Sequence, residues 1–340
     1  MTRVMVILCL FLCSACALQK SNSVSDEESL IEKILVDPSA KEVDKILAKL
    51  RRQDLSPKEV IKHDSMLLSN SNTLYVLSHQ VEGLTHFGAI IIPANSEHKK
   101  LPVVVFATGG DGMHTEFDLT QDFNHAAAQF PNFLGDGLDQ ECIVLIPGFR
   151  GQQLLVGDKS YQSDGKVSDA FGGATTDALA LLNVALETFD QADESRIAIF
   201  GGSRGGTVAL LAAARDQRIA RAIAVAAPTD MKALYQLYAQ QFKLLFFNDL
   251  LAGEISKREA REKFISISPI YFTDELPLVQ LHHDQNDPFV PVSFAENLRD
   301  RMTAQGKSVE SYFYEEGIHG FWADNAFWDR VQDFIRPLVE

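Results

Sequence analysis

Several stretches of this chain are apolar along nearly their whole length: LPVVVFATGG (101–110), ECIVLIPGF (141–149), RIAIF (196–200), IARAIAVAAP (219–228) and LPLVQLHH (276–283). A strand with one wet face alternates apolar and polar residues. A strand that is apolar throughout must be covered on both faces. Helical patterns lie between several of these runs, as in Asp177 to Phe189, where Leu181, Leu182, Val184, Ala185, Leu186 and Phe189 are apolar. LYVLSHQV (74–81), FGAIIIP (87–93) and SYFYEE (311–316) read as further strands. The pattern predicts an α/β fold with a mostly parallel central sheet and helices on both faces. Such sheets carry their sites beyond the carboxyl ends of the strands. Thr108 to Gly112, Ser203, Asp287 and His319 all fall there.

The 340 residues, 46% of them hydrophobic, are enough for one large α/β domain. Lys plus Arg total 31 against 46 Asp plus Glu, a net charge of −15. That balance repels phosphate backbones and argues against a nucleic-acid partner. No internal repeat is visible.

The first residues, MTRVMVILCLFLCSACALQK, place one cation, Arg3, before a short apolar core, Val4 to Leu12. That core is too short to span a bilayer and suits a secretory signal. Leu12-Cys13-Ser14-Ala15-Cys16 is similar to a bacterial lipoprotein box, with Cys16 as the lipidated first mature residue. Ala15-Cys16-Ala17 also fits an ordinary signal cleavage site. The expected location is the periplasm or the outer membrane, with membrane contact through the lipid anchor only. Cys13 and Cys16 form a C-x-x-C, but both lie in the signal, so no redox or metal site is read from them. Cys142 sits in a strand-like run as buried filler.

Residues 1–16 are thus read as signal, 17–28 as a polar tether, 29–62 as a helical extension and 63–340 as the catalytic domain. Within the extension, Val43, Ile46, Leu47 and Leu50 mark an amphipathic helix. Asp37-Pro38 reads as its N-cap and first residue, and Ser56-Pro57-Lys58-Glu59 as a second helix start. Residues 231–272, rich in Tyr, Phe and Leu, read either as a helical cap that supplies an apolar pocket or as a helical connection packed on the sheet edge.

RIAIFGGSRGG contains G-x-S-x-G between a strand and a helix. A strand that turns sharply into a helix strains the residue at the corner, and small neighbours keep that corner free of collisions. The Ser203 hydroxyl then stands above the sheet near a helix N-terminus, where developing negative charge is favoured. A nucleophilic serine needs a base and an orienting acid, in the chain order Ser, acid, His. His282, His283 and His319 follow Ser203. The first two lie in or at the end of a strand, whereas His319 lies in a glycine-flanked loop, GIHGF. Asp284 and Asp287 compete for the acid in HHDQNDPFVP. Asp287 is favoured because it stands in a turn beyond the strand end, and Asp284 reads as a capping or surface residue. The oxyanion donors are expected to be the backbone N–H of Arg204 and that of Gly110, in the loop Thr108–Gly112.

From Leu74 onward the chain resembles an α/β-hydrolase, specifically the catalytic domain of the prolyl oligopeptidase group, with dienelactone-hydrolase-like enzymes as close neighbours. The resemblance rests on RIAIFGGSRGG, HDQNDPFVP, His319 and PGFRG (147–151). Thr108-Gly109 stands where the group usually has His-Gly, and Asp284 where it usually has Gly. No propeller-like region precedes the catalytic part within these residues, which favours an esterase over a peptidase. The resemblance implies acyl transfer through an acyl-enzyme, with Ser203 as nucleophile, His319 as base and Asp287 as its orienting acid, on a small-molecule or peptide acyl substrate. It implies no metal and no cofactor. A non-catalytic binding protein on the same fold is the reading from a different class.

Overall fold

The apolar runs pair side by side in the computed structural model, which describes residues 21–68, 70–94, 96–110, 116–119, 137–320 and 325–340. The strands are β1 (Ile61–Leu67), β2 (Thr73–Val81), β3 (Leu84–Ile92), β4 (Leu101–Ala107), β5 (Glu116–Asp118), β6 (Ile143–Gly148), β7 (Gln153–Val156), β8 (Lys159–Gln162), β9 (Ala192–Gly202), β10 (Ile219–Val225), β11 (Leu278–Asp284) and β12 (Val309–Tyr314). Nine of the described strands form one sheet in the order β1-β2-β3-β6-β4-β9-β10-β11-β12, and β5, β7 and β8 form a small separate one. From β6 to β12 every pairing in the large sheet is parallel. β1, β2 and β3 join antiparallel at one edge.

The period of two explains why the central strands are apolar throughout. Val103, Val105, Ile197, Ile199, Ala222, Ala224, Val279 and Leu281 enter one core. The intervening Val104, Ala198, Phe200, Ile223 and Val225 enter the other. Helices α3 (Gly172–Thr188), α4 (Arg204–Arg215) and α8 (Ser293–Ala304) cover the first face. Helix α9 (Asn325–Ile335) covers the second with Phe327, Trp328, Val331 and Phe334. Cys142 is buried in that second core, and burial raises its thiol pKa to about 12.

The strand order reverses at β4, which lies between β6 and β9. The chain leaves β4 toward β6 on one side and continues from β9 to β12 on the other. The loops that follow β4 and β9 are therefore neighbours at the carboxyl edge, the switch point at which open α/β sheets bind ligands.

The amino-terminal region differs from the sequence reading. Helix α1 (Ser21–Ile34) begins inside the stretch expected to be a tether. Ile31 and Ile34 join the core, and Glu27 pairs with Lys243 at 2.6 Å, so burial and charge order the segment. Helix α2 (Ala40–Arg51) is capped by Ser39, whose hydroxyl accepts from the Glu42 N–H, rather than by Asp37. The Asp37 carboxylate is taken by Lys232 at 2.7 Å. No helix starts at Ser56. Its N–H and hydroxyl both go to Asp54, Glu59 has a left-handed φ of 49°, and the Lys58 carbonyl accepts from Gln80 of β2. Residues 61 and 62, assigned to the extension, already belong to β1. The signal segment with Cys16 lies outside the described residues, as do residues 17–20 of the tether. No helix among the described residues is long and apolar enough to cross a membrane.

Residues 231–272 form helices α5 (Met231–Leu237), α6 (Ala239–Leu251) and α7 (Lys257–Ser266). They make a cap-like extension at the carboxyl edge of the sheet, and α5 and α6 reach the cavity described below.

Candidate active site

Ser203 occupies the corner between β9 and α4 with φ 53° and ψ −122°, a conformation that L-residues rarely adopt. The turn is held by the Ser203 N–H, which donates to the Val225 carbonyl of β10 at 2.7 Å. The flanking glycines have separate steric reasons. A Cβ on Gly201 would collide with the Gly205 carbonyl, and one on Gly205 with the Ala107 carbonyl of β4. A Cβ on Gly206 would lie 2.7 Å from that of Ala227. The bare motif therefore lets the helix start pack directly on the ends of β4 and β10.

The loops after β11 and β12 carry Asp287 and His319. The His319 Nδ1 and Asp287 Oδ2 are 2.7 Å apart. The second oxygen of Asp287 accepts from the N–H groups of Phe289 and Val290 at 2.8 and 2.9 Å. Burial opposes ionisation of Asp287, but the hydrogen bonds from His319, Val290 and Phe289 outweigh it and hold the carboxyl below the usual range. Gly317 and Gly320, on either side of the histidine, have φ of 70° and 118°. They let the loop double back over the strand ends.

Asp284 has a different position. Its carboxylate is buried, one oxygen accepting from the Asn286 N–H and the other from the Glu316 N–H, each at 2.7 Å. It fastens the start of the aspartate turn to the start of the histidine loop. His282 and His283 are buried in β11, His282 between Tyr312 and Phe327 and His283 against the Val290 carbonyl. Burial lowers both pKa values, that of His282 to about 3.

Ser203, His319, Gly110 and Arg204 all line one cavity of about 830 Å³. As the first residue of α4, Arg204 presents its N–H at the helix N-terminus. Gly109 packs against Ser203, since a Cβ there would lie 3.9 Å from that of Ser203. Asp111 and Gly112 of the same loop lie outside the described residues. The cap contributes Leu234, Tyr238, Gln241 and Phe242 to the wall, and the Tyr238 hydroxyl donates to the Phe289 carbonyl at 3.0 Å.

Sequence reasoning missed Phe106, Glu116, Gln152 and Phe289 as cavity residues. Phe289 stands edge-on to the His319 ring, with centroids 5.4 Å apart, and is largely exposed. Its place two residues after Asp287 was the available signal. Glu116 and Gln152 have none, because β5 and the loop before β7 are brought to the site only by the fold.

The family model described as the prolyl oligopeptidase family matches residues 139–336. Among solved structures, the chain is similar to acetyl xylan esterase 1 from Thermoanaerobacterium sp., with TM-score 0.65 and 16% identity, covering 91% of this chain and 98% of that one. An acetyl xylan esterase from Paenibacillus sp. R4 has TM-score 0.59 and 16% identity, over 90% of this chain and 98% of that one. The acylaminoacyl peptidase of Pyrococcus horikoshii has TM-score 0.54 and 15% identity, over 81% of this chain and 48% of that one. Comparison with curated proteins gave no match.

Proposed function

The chain belongs to the prolyl oligopeptidase family and is a serine hydrolase of ester or amide bonds, and from that premise we propose that its substrate is a carboxylic ester cleaved by Ser203, His319 and Asp287. Ser203 attacks the acyl carbon, and its proton passes to His319. Asp287, kept ionised by its hydrogen bonds, holds the imidazole by Nδ1 and stabilises its cation. The oxyanion is received by the N–H groups of Gly110 and Arg204. His319 returns the proton to the leaving alkoxide, and water, activated by the same histidine, releases the acid.

The observation that carries the ester reading is the cavity wall. Phe106, Phe171, Leu234, Tyr238, Phe242 and Phe289 make it mostly apolar, which suits an apolar acyl or alcohol group. Glu116 is the one carboxylate in the wall among the described residues. It supports the second reading, a peptidase, because a carboxylate can hold a peptide ammonium. An ester also has the better leaving group, so an unspecialised triad cleaves it more readily. The test is turnover of short-chain p-nitrophenyl esters against proline-containing peptide anilides on one preparation, with Ser203→Ala as blank. Higher kcat/KM on the esters supports the ester reading, and clear preference for the anilide overturns it. Failure of a fluorophosphonate to label the protein would leave the non-catalytic binding protein.

The proposed setting is outside the inner membrane, in the periplasm or on the outer membrane, held by acyl chains on Cys16. This rests on the signal-like residues 1–16. The proposed partners are an acyl substrate and the lipid surface, with no nucleic acid, as the net charge of −15 favours.

A further inference from the structure

Gly109 and Gly110 have no side chains, and Gly110 has φ 119°, so their own covalent structure leaves the peptide between them free to rotate. A trans peptide is planar, with its C=O and N–H on opposite sides. Whatever pins the Gly109 oxygen therefore aims the Gly110 N–H. The Arg204 Nη2 donates to the Gly109 carbonyl at 2.9 Å. The guanidinium carbon lies 5.1 Å from the centroid of the buried Phe149 ring, in the loop after β6. The side chain is thus anchored just past β6, reaches the loop after β4, and springs from the residue next to Ser203.

We propose that Arg204 is the positioning residue of the oxyanion site. It contributes one donor through its own backbone, and its guanidinium orients the second, the Gly110 N–H, by holding the other end of the same peptide. The inference rests on the serine-hydrolase mechanism given above. It assigns a role to the side chain that the G-x-S-x-G motif leaves unspecified. A guanidinium suits the task because it keeps its charge at any working pH and can lie on an aromatic ring while donating in its own plane.

The test compares Arg204→Met and Arg204→Lys with the wild type, using p-nitrophenyl butyrate turnover and inhibition by an aryl trifluoromethyl ketone. Ser203 Oγ adds to that ketone, its proton moves to His319, and the carbonyl electron pair becomes the oxyanion. The inhibitor therefore reports on the oxyanion site without a leaving group. Loss of one oxyanion donor in other enzymes costs about 10²–10³ in kcat. A misaimed donor is expected to cost less, about 10- to 100-fold in kcat for Arg204→Met, with KM changed by less than about 3-fold. Ketone affinity should fall by a similar factor. Lys keeps a donor but not the planar guanidinium placed over Phe149, so Arg204→Lys should lose about 3- to 10-fold in both.

A folded Arg204→Met enzyme with wild-type kcat and ketone affinity overturns the proposal. So does a rise in KM alone, which would mark a role in binding only. If the Met variant does not fold, wild-type kcat and ketone affinity in Arg204→Lys overturn it. Failure of the underlying mechanism looks different: the wild type itself would show no turnover above Ser203→Ala and no ketone inhibition.

Discussion

Asp284→Asn separates the bracket from Asp287, the proposed triad acid. The Asp284 carboxylate is buried and accepts two hydrogen bonds of 2.7 Å, from Asn286 and from Glu316. An asparagine offers one oxygen, so one of the two N–H groups is left facing an amide NH₂. Losing a charge-assisted bond and leaving a buried N–H unpaired costs about 1–3 kcal/mol. Asp284→Ala removes both acceptors, so the loss should be about twice as large. A guanidinium chloride titration followed by fluorescence should read the difference as a lower midpoint with an unchanged slope. Turnover should suffer less than in Asp287→Asn. Glu316 enters the histidine loop three residues before His319, and a misplacement of roughly 1 Å costs up to about 10²-fold. Asp287→Asn should instead cost about 10⁴-fold in kcat, since it favours the wrong imidazole tautomer. The reasoning fails if Asp284→Asn loses as much activity as Asp287→Asn while its unfolding midpoint stays at the wild-type value, for Asp284 would then be the acid.

Gly205→Ala should abolish activity and lower stability by about 1–3 kcal/mol or more, because its methyl would collide with the Ala107 carbonyl; a variant with wild-type melting and turnover would refute the close approach of α4 to β4. Burial lowers the pKa values of His79, His86 and His282 to about 3, with His86 reinforcing the effect on His79, Arg150 on His86 and Arg330 on His282. Since these groups stay neutral in the native state while the unfolded chain takes up protons below about 6.5, stability is fully present above that pH and lost as pH falls toward 3. Each should account for about 2 kcal/mol lost between pH 7 and pH 5, and a denaturation midpoint that does not move over that interval would contradict their neutral burial. If Cys16 is lipidated, the wild type should partition into detergent and Cys16→Ser should not; a wild type wholly in the aqueous phase rules out the anchor.

How far residues foretell structure here depends on how local their partners are. β4, β6, β9, β10 and β11 were legible because burial on both faces leaves an unbroken apolar run. β1 is a largely exposed edge strand whose mixed residues, IKHDSML, give no such run, and β7 and β8 are short. The helix starts at Asp37 and Ser56 were misplaced because cap acceptors are also good partners for distant or neighbouring groups. Lys232 takes Asp37, and Asp54 takes Ser56. At the site, the strand-to-helix corner and the order Ser203, Asp287, His319 pointed to the three residues that the fold gathers. The cap could not be told from a connection by spacing, because its aromatic residues serve both as core and as cavity wall. The Arg204 contact with Gly109 and Phe149 joins a helix start to two loops far apart in the chain, and no local pattern encodes it.

The proposed mechanism makes Ser203 the nucleophile, activated by His319 and Asp287. Fluorophosphonate labelling of the full chain, followed by trypsin and mass mapping, tests it most directly. Cleavage after Arg196 and Arg204 releases IAIFGGSR, in which Ser203 is the sole hydroxyl-bearing residue. The wild type should carry a phosphonyl adduct on that peptide, Ser203→Ala none, and His319→Ala should label slower by orders of magnitude. An unlabelled wild type, an adduct on any other peptide, or labelling of His319→Ala at the wild-type rate would contradict it.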